Sequence, residues 1–178
     1  MKIVLVRHGQ TENNFLGKIQ GLSNSLLNDT GRRQCQNLRR RIEKIHFDYC
    51  YMSPLVRAVE SAFILVGDYC EIIPDKRLIE RNMGELEGKS FTEYNAYQFW
   101  NYTLNRSDFG IEPVQDVFKR CEDFLKYIAD KHADKTILIV THSGPYRALR
   151  YLLNKETLKG PLLDGRIENC QYEEFEIN

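Results

Sequence analysis

The chain has no net charge. Lysine plus arginine and aspartate plus glutamate both number 25 in 178 residues. Nothing in that balance draws it to nucleic acid or to an acidic membrane surface, so no partner of either kind is expected. It also lacks a cysteine framework. The five cysteines, at 35, 50, 70, 121 and 170, are odd in number and have neither metal-site nor redox-motif spacing. Free thiols in a reducing compartment follow. There is no apolar run of membrane-spanning length and no apolar leader behind a basic start, so neither a signal peptide nor a span is expected, and a soluble, cytoplasmic protein is. Repeats, low-complexity tracts and linkers are absent too. The length suits one domain, residues 1–178, with a sizeable core.

What is present is an alternation of strand and helix patterns. Ile3–Val6 is a continuous apolar run, as in a buried parallel strand. From Asp29 to about His46, Cys35, Leu38, Ile42 and Ile45 recur at helical spacing, with Asn28 as N-cap. Asp48–Met52 reads as a strand. Ser53 and Pro54 then read as N-cap and first position of a helix that runs to Gly67. A short strand at Cys70–Ile73 ends at Pro74. Val114–Lys131 is a further helix, "TILIVT" (Thr136–Thr141) the strongest strand, Ala148–Leu153 part of another helix, and Gln171–Ile177 a final strand at an edge. Between them, residues 89–113 form an aromatic-rich insertion that suits a lid or pocket wall. His46 and His132 fall near helix ends, where histidine is usually solvated, and neither is assigned a role. The pattern predicts an α/β fold, a three-layer α/β/α sandwich around a mostly parallel central sheet.

In such sheets ligands bind beyond the carboxyl ends of the strands. Arg7 and His8 follow the first strand, Arg57 lies just after the second, a charged cluster around Glu80 follows the third, and His142 follows "TILIVT". Two guanidiniums and two imidazoles in one place require an anion, and a dianionic phosphate fits the paired donors of arginine. Gly9 lets the backbone approach closely. A neutral histidine, its pKa lowered by surrounding cations, can attack phosphorus.

These segments resemble the histidine phosphatase superfamily, the group of phosphoglycerate mutases and many small phosphatases, over essentially the whole chain. "VRHGQTENN" resembles the family signature, with His8 as the phosphorylated histidine and Arg7 and Asn14 beside it. "IQG" matches the next binding segment, bringing Gln20 and Gly21. "SPLVRAVESA" places Arg57 on the phosphate, "DKRLIERNMGELEG" makes Glu80 the proton donor, and "VTHSGPYRAL" sets His142 opposite His8, with the backbone of Ser143 nearby. Leu26, Asn28, Ser61 and Pro113 depart from the usual residues at structural positions. The resemblance implies a phosphoglycerate mutase-like fold and two in-line displacements through phosphohistidine, with no metal and no cofactor. Arg7, Arg57 and a protonated His142 take the phosphoryl charge.

The insertion carries only Lys89 and Arg106 as cations. That favours hydrolysis of a small, weakly charged or bulky phosphorylated substrate over mutase transfer. α-Ribazole phosphate is a specific candidate, beside phosphoserine and broad specificity. The alternatives are a phosphoglycerate mutase and, in another class, an inactive phosphate-binding regulatory module. A free sheet edge at the last strand permits a homodimer.

Overall fold

The computed structural model describes residues 1–165 and 167–177. Its centre is a five-stranded sheet in the order β3-β2-β4-β1-β5. The strands are β1 (Lys2–Arg7), β2 (Tyr49–Met52), β3 (Glu71–Pro74), β4 (Thr136–Thr141) and β5 (Tyr172–Glu176). The first four are parallel to one another, and β5 closes one edge antiparallel to β1. The longer helices are α2 (Asp29–Ile42), α3 (Val56–Val66), α5 (Val114–Lys131) and α6 (Ser143–Leu153). Two single turns, α1 (Glu12–Phe15) and α4 (Ala96–Phe99), lie in connecting segments.

The period of two along each strand divides the core. Ile3, Leu5, Tyr51, Ile137 and Ile139 point to one face and pack against α5 and α6. Val4, Val6, Cys50, Met52, Leu138 and Val140 point to the other and pack against α2 and α3. The three expected layers are therefore present. A smaller cluster of Ile19, Met83, Leu86, Phe99 and Ile111 sits under the insertion. Among the described residues no helix is long and apolar enough to cross a membrane.

Several boundaries differ from the sequence reading, each for a tertiary reason. Helix α2 begins at its expected cap, where the Asn28 side chain accepts from Gly31 N at 2.8 Å. It stops at Ile42 because the chain must turn to bury Phe47 and to start β2, with Asp48 N donating to Thr136 O at 2.9 Å. Ser53 and Pro54 do not start α3. Its N-cap is Leu55, which makes no side-chain capping bond, because Ser53 Oγ is used elsewhere. Helix α6 begins at Ser143, five residues before the apolar stripe made it legible. His132 is not solvated: it is buried, with Nε2 2.8 Å from Tyr51 Oη and its ring 4.1 Å from that of Tyr49.

The loop after β1 is clamped on α2 by backbone contact. Gly31 sits so close that a Cβ there would meet Gln10 O at 2.1 Å, and one on Gly9 would meet Gly31 O at 2.7 Å. Gly31→Ala is therefore expected to cost about 1–3 kcal/mol, as overpacking does. Urea unfolding checks this; a change inside about 0.5 kcal/mol would show that the loop gives way freely.

Candidate active site

The register of two strands assembles the centre. Arg7 on β1 is paired with Thr141 on β4, so the next residues, His8 and His142, emerge side by side. Their ring centroids are 5.0 Å apart at 60°. His8 N donates to Thr141 O at 2.9 Å, and its carbonyl accepts from Asn169 Nδ2 at 3.0 Å. Helices α2 and α6, which follow the loops after β1 and β4, pack on opposite faces of the sheet, so a crevice opens between these two strand ends.

Hydrogen-bond complementarity fixes the state of both imidazoles. His8 Nδ1 lies 2.7 Å from Gly9 O. A carbonyl only accepts, so Nδ1 carries the proton and the Nε2 lone pair is free. His142 Nδ1 receives Arg57 Nε–H at 3.2 Å, so its proton sits on Nε2, which meets Ser53 Oγ at 2.6 Å. Burial, then Arg57 and Arg7, hold His8 well below the ordinary histidine range. Burial, then Arg57 and His8, do the same to His142. The cations lower the pKa of His8 as expected, with burial as the largest single cause. One expectation is corrected: His142 is neutral, not protonated, since its Nδ1 receives the Arg57 hydrogen bond.

Arg57 is wholly buried in the first turn of α3. Burial pulls its pKa down to about 10, which still leaves it charged at neutral pH. Its Nη1 and Nη2 donate to the carbonyls of Ser23 at 2.7 Å and Gly21 at 2.8 Å. These bonds hold the Gln20–Gly21 loop over the crevice. Gln20 Oε1 in turn accepts from Thr11 Oγ1 at 3.0 Å. Asn14 Oδ1 accepts from Thr11 and, at 3.2 Å, from Asn169 Nδ2. Arg7 Nη1 donates to Ile167 O at 2.5 Å. Glu80 Oε1 accepts from Arg81 N at 2.8 Å and Gly144 N at 3.0 Å, while Oε2 has no hydrogen bond among the described residues. Glu87, further along the same segment, spends its carboxylate on Leu22 N at 2.7 Å.

Arg7, His8, Asn14, Gln20, Gly21, Arg57, Glu80 and Ser143 all line one cavity of about 380 Å³. His142 lies behind its wall. The insertion contributes Phe91, Tyr94, Ala96 and Trp100 to the lining, so it does form a pocket wall. Its Arg106 pairs with Asp108 at 2.6 Å and is not part of the lining. The sequence reading missed Ser53, Asn169, Arg81 and Arg147. The last three also line the cavity, and with Arg81 and Arg147 there its charge is not set by the insertion alone. Among the described residues no three of His, Cys, Asp and Glu group as a metal site.

The family model of the histidine phosphatase superfamily (branch 1) matches residues 3–178. The chain belongs to that superfamily. It is 35% identical over 158 residues to phosphoglycerate mutase-like protein 4 of Arabidopsis thaliana, covering 83% of this chain and 69% of that one. It is 32% identical over 176 residues to the metal-independent phosphoserine phosphatase of the same plant, covering 93% and 74%. The solved structure of Bacillus stearothermophilus YhfR superposes with a TM-score of 0.89 at 28% identity, covering 99% of this chain and 91% of that one. The phosphoglycerate mutase-like architecture of the superfamily is the one described above.

Two histidines kept neutral have a thermodynamic consequence. The unfolded chain takes protons on them near pH 6.5 and the folded one does not, so stability falls as pH drops below about 6.5. Melting temperature is expected to decline between about pH 7 and pH 5, and less steeply in His8→Asn. Equal slopes for the two proteins would contradict the neutral assignment.

Proposed function

We propose that the chain is a phosphomonoesterase that works through a phosphohistidine on His8. The observation that carries this is the tautomer: Gly9 O holds the Nδ1 proton at 2.7 Å and leaves a free Nε2 lone pair on a residue that lines a cavity with four arginines, Arg7, Arg57, Arg81 and Arg147. Nε2 attacks phosphorus and the P–O bond to the alcohol breaks. Glu80 supplies the proton that the leaving alkoxide needs. Water, deprotonated by the same carboxylate, then attacks the phosphohistidine, and phosphate leaves with His8 restored. Arg7, Arg57, Asn14, Gln20 and the backbone at Gly21 and Ser143 hold the equatorial oxygens. His142 acts at one remove: relayed from Ser53, it orients Arg57 through Nδ1 and is a positioning residue.

The phosphatase relative supports hydrolysis as the outcome. The wall of Phe91, Tyr94 and Trp100 supports an ester of a small alcohol with a flat or bulky apolar part, α-ribazole phosphate among them. The weak charge read from the insertion does not carry over, since Arg81 and Arg147 reach the cavity from outside it.

Rapid acid-free quenching during turnover of p-nitrophenyl phosphate should trap phosphate on His8, found by peptide mass spectrometry, and His8→Ala should trap none and release no phosphate. Phosphate release by His8→Ala would refute the nucleophile. In kcat/KM, which reports the first displacement, Glu80→Gln should slow alkyl phosphates by about 10²–10⁴-fold and p-nitrophenyl phosphate far less, because a good leaving group needs no proton. Equal losses on both would remove Glu80 from that role.

A further inference from the structure

Arg147, in the second turn of α6, has no part in the chemistry above. It is only 8% exposed, yet it makes no hydrogen bond and no ion pair among the described residues. Its Nε is fully enclosed and unsatisfied. The guanidinium lies over Trp100, with Cζ 4.3 Å from the ring centroid. On the same ring, 5.0 Å away, sits Arg81. That guanidinium is held by Glu112 O and Phe99 O, both at 2.7 Å, and keeps a buried Nη2 that makes no hydrogen bond among the described residues. The Tyr94 hydroxyl nearby is equally unsatisfied. All four side chains line the cavity. A buried guanidinium stays charged and costs several kcal/mol when it has no counter-ion. Among the described residues Glu80 is the carboxylate that acts on Arg147, and it is already bonded to two backbone amides.

We propose that Arg147, backed by Arg81 and Tyr94, is a subsite for a carboxylate of the substrate, on the leaving-group side of the pocket. The side follows from contact. Gly144 packs between Glu80 and Trp100, with Trp100 Cη2 3.5 Å from where its Cβ would be, so the Trp100–Arg147 stack adjoins the proton donor. A carboxylate matches the planar fork of arginine, and contact with the indole holds the guanidinium in place in advance. A monoanion suffices: Arg81 is partly satisfied by carbonyls, and a second dianion next to Glu80 would repel it. The inference rests on the phosphomonoesterase reading and narrows the substrate to a small phosphorylated hydroxy acid or hydroxy amino acid, ahead of α-ribazole phosphate.

O-Phosphoserine and O-phosphoethanolamine differ by that carboxylate alone. Wild type should favour phosphoserine in kcat/KM by about 10–100-fold, the range of a charged hydrogen-bonded pair. Arg147→Met should bring the ratio near one, and Arg147→Lys should keep part of it. A wild-type ratio near one, with both esters hydrolysed, would overturn the subsite and leave the phosphatase intact. The single tryptophan gives a readout free of turnover: in His8→Ala, phosphoserine should change Trp100 fluorescence at lower concentration than phosphoethanolamine does. That discrimination without any hydrolysis by wild type would keep the subsite and refute the phosphatase. Tighter binding of propane-1,3-diol bisphosphate than of phosphoserine would assign the subsite to phosphate and overturn the proposal.

Discussion

Positive charge buried without a counter-ion is the constraint around which this site is built. Arg57 is wholly enclosed, Arg147 nearly so, and His8 and His142 stand between cations at the ends of two adjacent strands. Such a centre is tolerable only if each added group is neutral or an acceptor. The neighbours meet that condition: backbone carbonyls of Gly21 and Ser23 on Arg57, of Phe99 and Glu112 on Arg81, and two imidazoles denied their second proton. The remaining imbalance is what an anionic substrate would relieve. Binding and preparation for chemistry are one electrostatic fact, since the field that attracts phosphate also keeps the nucleophile neutral.

The rigidity of this centre comes from the sheet. Parallel pairing of β1 with β4 fixes the two histidines relative to each other, and pairing of β2 with β4 puts Ser53 beside them through Ser53 N and Val140 O at 3.0 Å. The loop that carries His8 has little freedom, closed on α2 by glycine against backbone and on the Asn169–Cys170 turn by hydrogen bonds. The insertion then covers the crevice with aromatic rings. Hydrolysis, positioning and selection thus fall to separate layers of the structure: strand ends, the loops bonded to them, and the wall above.

Much of this was legible because strand ends are local signals. Ile3–Val6 and "TILIVT" mark their strands without reference to anything distant, and the polar residues after them are the site. Glu80 and Arg57 were legible for the same reason, with the resemblance to the superfamily naming Glu80 as the proton donor. What escaped were residues whose meaning lies in a partner far along the chain. Ser53 reads as a helix cap until β4 brings His142 2.6 Å from its hydroxyl. His132 reads as a solvated helix end until Tyr51 and Tyr49 cover it. Arg147 sits in a helical pattern among Tyr146, Ala148 and Leu149 and announces nothing, since its position over Trp100 depends on a segment nearly fifty residues away. Counting cations in the insertion misjudged the pocket because cavity charge is set in space and not by segment.

The state of His8 is the point on which the account turns, and ¹⁵N NMR of the histidine rings reads it directly. At neutral pH and without ligand, His8 should be a neutral imidazole with its proton on Nδ1 and an unprotonated Nε2. An imidazolium, or the tautomer with the proton on Nε2, would contradict the account, because neither leaves a lone pair on Nε2 to attack phosphorus.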